Sequence, residues 1–192
     1  MKDRLGTSPD RGNPCTWLTA LLVPLLVATS LVTLAAGGSE NNVHLYGALV
    51  AEPCVISPGK EEIQLDFGTI IDKYLYLNKR TLGQAFEIYL TGCDLTLGKT
   101  VKATFLGTES SALPGLLAID ASSEAKGIAI GLETQGAKPL PFNQSSDQFP
   151  LQEGDSRIAL KAYVQGEPNS IASQTIEPGW FTAAATFSLE YE

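Results

Sequence analysis

Histidine is nearly missing from the sequence: His44 is the only one among 192 residues. A histidine-based triad or metal site has nothing else to build on. Basic residues are also scarce, 13 against 21 acidic ones, for a net charge of -8. Nucleic acid would call for a basic stripe, so it is excluded as a partner. GIAIG lacks the spacing of a phosphate-binding loop. The carboxylate pairs Glu61–Glu62 and Asp120–Glu124 read as solvated turn residues rather than an acid–base pair. No enzymatic activity, cofactor or metal is expected. A sustained helical period is absent after the first segment, and only one long apolar run occurs.

That run is WLTALLVPLLVATSLVTLAAGG, preceded by Lys2, Arg4 and Arg11. A basic start, an apolar middle and a small-residue exit at Ala35-Ala36-Gly37 form a secretory signal. We therefore expect a signal peptide over 1–37, cleaved at about 35–38. A membrane anchor is the alternative for about 20 apolar residues. Pro24, Thr29, Ser30 and Thr33 dilute the run and favour cleavage, leaving no stable span. Removal takes away Lys2, Arg4, Arg11, Asp3 and Asp10, shifting the charge from -8 to -9. Of the three cysteines, Cys15 leaves with the signal. Cys54 and Cys93 then form the expected disulfide of an exported domain. Two thiols and one histidine are too few for a four-ligand zinc site.

The remainder alternates with period two, the mark of strands with one buried face. Val43, Leu45, Gly47 and Leu49 share a face in VHLYGALV, and Ile63, Leu65 and Phe67 share one further on. Phe86, Ile88 and Leu90 alternate in FEIYLTGC, with Cys93 on the opposite parity, so a bulge or an edge is expected there. KTVKATFLG, GLLAID, GIAIGLET and RIALKAYVQG follow, the last with Ile158, Leu160, Ala162 and Val164 inward. Clusters such as SPGK, ALPG, EGDS and GEPNS punctuate them. Residues 135–156 are weakest in pattern and read as loop with short strands. Many short strands at this spacing indicate one all-β sandwich or barrel.

The stretch GWFTAAATFSLEYE places Phe181, Ala183, Ala185, Phe187, Leu189 and Tyr191 on one face. As one strand it would span roughly 40 Å, long for its type. It either sits centrally in a sheet or borders a slot with no later strand to fill it. Residues 43–50 are tied to the next strand by only Ala51, Glu52 and Pro53. That connector hardly carries them across a sandwich, so they are available to another molecule by strand addition.

With these motifs the chain resembles a pilin subunit of the chaperone–usher fimbrial family, similar to minor subunits of type 1 and P pili. The resemblance covers about 42–192. It rests on the alternating segment with its glycine, EPCVI, FEIYLTGC, VKATFLGT, GIAIGLET followed by KPLP, and LKAYV. Tyr191, second from last, and Gly179, fourteenth from the end, complete it. The resemblance implies an incomplete immunoglobulin-like sandwich lacking its last strand, with an N-terminal donor-strand extension. The expected organisation is a signal over 1–37, an extension over 38–52 and a pilin domain over 53–192.

The resemblance further implies that Val43, Leu45, Gly47 and Leu49 form the donor strand. Gly179, Phe181, Ala183, Ala185, Phe187, Leu189, Tyr191 and Glu192 would form the strand bordering the acceptor groove. A periplasmic chaperone would fill the slot and hold the carboxylate of Glu192. At an outer-membrane usher, the segment of a neighbouring pilin subunit would replace it, in a fimbrium on the cell surface. A minor structural subunit is the preferred role. A terminator or anchor subunit is the alternative; a receptor-binding tip subunit fits less well, because such adhesins carry an extra domain. Asn143-Gln144-Ser145 fits a glycosylation triplet, a match common by chance.

Overall fold

The computed structural model describes residues 43–192. The expected signal peptide and the start of the extension lie outside the described residues. Nine strands and two short helices follow one another: β1 (Val55–Ile56), α1 (Asp72–Asn78), β2 (Gln84–Cys93), β3 (Thr100–Leu106), β4 (Leu117–Ala118), β5 (Ile128–Thr134), β6 (Pro139–Leu140), β7 (Phe149–Pro150), β8 (Gly154–Gly166), α2 (Pro168–Ser173) and β9 (Thr186–Tyr191). One sheet runs β1-β2-β8-β5-β4, with β6 also on β5; the other runs β7-β3-β9. Each pairing is antiparallel. This is the all-β sandwich indicated by the alternating patterns, in the immunoglobulin-like form that the resemblance implies. Among the described residues no helix is long and apolar enough to cross a membrane.

The core forms where inward positions of the two sheets meet. Ile88 and Leu90 from β2 are buried with Ile158, Leu160 and Val164 from β8 and Ile130 and Leu132 from β5. Val101, Ala103 and Phe105 of β3 face them from the other sheet. Phe105 meets Phe142 edge-on with ring centroids 6.4 Å apart. The parity break expected near Cys93 is a register shift between Leu90 and Cys93, where Gly92 takes φ 65°. This turns Cys93 inward, and it is joined to Cys54 in a disulfide.

Three expectations need correction. Two helices occur where no helical period is visible. At seven and six residues they are too short to display a repeat. Pro168 opens α2, where a missing N–H costs nothing, so GEPNS reads as a turn but starts a helix. Ile63, Leu65 and Phe67 do alternate toward the core, but their backbone joins no sheet ladder. Residues 179–191 are not one long strand either. Only Thr186–Tyr191 pairs with β3, because residues 180–182 bond to residues 120–125 instead.

Candidate functional site: an open-edged apolar groove

Among the described residues, β9 is bound on one side only. Glu192 N–H donates to Thr100 O at 2.9 Å, and Thr100 N–H donates back to Glu192 O at 3.1 Å. Antiparallel ladders alternate, so Glu190, Ser188 and Thr186 also direct their backbone groups to β3. Phe187, Leu189 and Tyr191 therefore turn N–H and C=O toward the open edge while their side chains pack on the core. Those side chains are only half-buried. The open edge can thus accept a strand's hydrogen bonds while its side chains receive apolar cover.

The other flank is the segment carrying Ile63, Leu65 and Phe67, half-buried on the same core. At one end the flanks touch, the rings of Phe67 and Phe181 lying 6.2 Å apart between centroids. At the other end Glu192 is pinned. Its main-chain oxygen accepts from Lys99 N–H at 2.8 Å, and its side-chain carboxylate pairs with Lys102 and accepts from Gln148. These partners, Lys102 first, hold the Glu192 carboxyl below the usual carboxylate range. Burial first, then the nearby Glu52 carboxylate, pushes the Tyr191 phenol up from its ordinary value.

The residues expected along this strand divide by environment. Phe181, Ala183, Phe187, Leu189 and Tyr191 lie half-buried in one row, whereas Ala185 is exposed. Gly179 is explained by crowding: a Cβ there would stand 2.5 Å from Glu124 Cβ and 2.9 Å from Ala125 N. Val43, Leu45 and Leu49 are exposed, at 81%, 90% and 104%, and residues 43–50 form no strand. A Cβ on Gly47 would meet nothing within 4 Å, so its own surroundings set no demand for glycine.

Sequence reasoning missed what holds the approach to β9. Asp120 and Glu124, which by sequence read as solvated turn residues, bind the backbone and side chains of the 179–182 stretch. Glu124 accepts from Trp180 N–H at 3.2 Å and Asp120 accepts from Thr182 Oγ1 at 2.8 Å. Ser123 Oγ also accepts from Thr182 N–H. Short polar residues in a turn cluster were the only signal. Asn143, from the glycosylation-like triplet, likewise braces the chain by bonding both backbone groups of Gly107.

The described residues thus form an immunoglobulin-like sandwich with a half-buried apolar row beside an unpaired strand edge. Residues 43–192 match the family model described as fimbrial protein, and the chain belongs to that family as a chaperone–usher pilin. It is 31% identical over 172 residues to the Fimbria A protein of Serratia marcescens, covering 90% of this chain and 96% of that protein. To the fimbrial adapter PapK of Escherichia coli it is 31% identical over 165 residues, covering 82% of this chain and 92% of PapK. Among solved structures, the P pilus rod subunit PapA matches with a TM-score of 0.63 at 25% identity, covering 73% of this chain and 100% of that one. The relatives are structural fimbrial subunits, and this chain is a component of surface fimbriae rather than an enzyme.

Proposed function

We propose that the chain is a structural subunit that polymerises by donor-strand exchange. The half-buried row Phe181, Ala183, Phe187, Leu189 and Tyr191, running into the open edge of β9, carries this reading. A periplasmic chaperone covers the row first. At an outer-membrane usher, residues 43–50 of a neighbouring pilin replace it. Val43, Leu45 and Leu49 insert, and Gly47 lies where the groove leaves no room for a side chain. The signal ends near residue 37 and the extension near 52. Burying those three side chains contributes roughly 5–9 kcal/mol, against about 5–15 kcal/mol for a whole domain's stability. A subunit so built stands poorly alone and firmly once complemented.

The test uses two assays on one variant. Deleting residues 43–50 should leave recovery of the chaperone complex intact and abolish entry into another subunit's groove. Gly47→Leu should act in the same direction, since overpacking typically costs about 1–3 kcal/mol. Loss of the chaperone complex itself would make 43–50 an internal strand and refute the proposal.

A further inference from the structure

A second unpartnered surface lies at the end of the groove where Phe67 meets Phe181. Ile71, Tyr74 and Leu77 recur every third residue on and beside α1 and are exposed, while Leu75 is buried and Tyr76 turns in to bond Ile176 N–H. Leu77 is 84% exposed, Leu82 just beyond the helix 82%, and Trp180, next to Phe181, 83%. Large apolar side chains gathered at one end of a body mark an interaction surface.

Chain direction decides what meets that end. Pro53 and Glu192 both lie against Gly98, so the chain leaves toward residues 47–52 from the Glu192 end of the groove. A lent segment running parallel to β9 would bring residue 50 of the donor to that same end. The donor's body would then meet the place where the acceptor's own extension departs, and further growth would be blocked. Running antiparallel, residue 50 finishes beside Phe181. Each subunit then receives at one end and gives from the other, the heterologous arrangement an open fibre needs. Only residues 51–53 link the lent segment to Cys54, which holds the donor's body within about 10–14 Å of the Phe181 end. The donor offers exposed apolar groups there as well: Leu97, in the turn whose Asp94 N–H bonds Pro53 O, and Val55 beside the disulfide.

We propose that the end formed by α1, Leu82 and Trp180 seats the body of a second copy of this chain, through the donor's Leu97 and Val55. The inference rests on the donor-strand reading, and the test separates the two. Mature chain is complemented either by a synthetic peptide of residues 43–50, giving a monomer, or by its own copies, giving fibres. Leu77→Asp and, separately, Tyr74→Ser should leave the peptide-complemented monomer unchanged in denaturant. Fibres of either variant should dissociate about tenfold faster, the loss expected when one large apolar contact is removed. Fibres as durable as wild type would overturn the proposal. So would an equal loss in monomer and fibre for both variants, which would assign these residues to the fold. Failure of the peptide to complement wild-type chain would instead overturn the donor-strand reading, and this proposal with it.

Discussion

The rings of Phe67 and Phe181 touch, 6.2 Å between centroids, although the segments carrying them share no ladder hydrogen bond. Side-chain packing alone joins the two flanks of the groove at this end. Phe181→Ala should therefore destabilise the peptide-complemented subunit by about 2 kcal/mol, less than a fully buried phenylalanine would cost. Trp180→Ala, one residue away and pointing outward, should change monomer stability by under about 0.5 kcal/mol. Denaturant unfolding of the two variants checks the difference.

The Cys54–Cys93 bond closes a separation of 39 residues. On the chain-entropy model it contributes about 4 kcal/mol. Mass measurement of a non-reduced digest should show the two peptides linked, and the Cys54→Ser/Cys93→Ser variant should unfold at markedly lower denaturant. Two free thiols in exported protein would contradict the assignment.

Tyr191 and Glu190 point to opposite faces of β9, one half-buried and one exposed. Tyr191→Ser should lower recovery of the chaperone complex several-fold, with Glu190→Ser close to wild type. Equal losses at the two positions would contradict the β9 register.

Two glycines should respond oppositely to one added methyl. Gly179→Ala forces a Cβ against the backbone of residues 124–125 and should cost the body about 1–3 kcal/mol. Gly47→Ala meets open space in its own subunit and should leave that body's unfolding unchanged. Its effect should appear only when the segment is lent to another molecule, as slower strand exchange.

Much of the sandwich was legible because period two is a local property. Ile88 and Leu90, or Ile158, Leu160 and Val164, announce an inward face without reference to any partner strand, and all are buried. The bulge before Cys93 was legible for the same reason, as a break in parity between neighbours. The helices were not: Leu75 is the only residue of α1 that is buried, and none of α2 is.

The sequence alone determined an all-β exported domain, its inward faces, its cysteine pair and an apolar alternating stretch ending at Tyr191. Those follow from spacing and composition along the chain. Only the tertiary structure decided that this stretch changes partners near residue 182, from residues 120–125 to β3, and that its remaining edge pairs with no other strand among the described residues. Pairing is chosen by hydrogen-bond geometry between segments far apart in sequence, with Asp120, Ser123 and Glu124 satisfying polar groups of residues 180–182 that a continuous ladder would otherwise have bound.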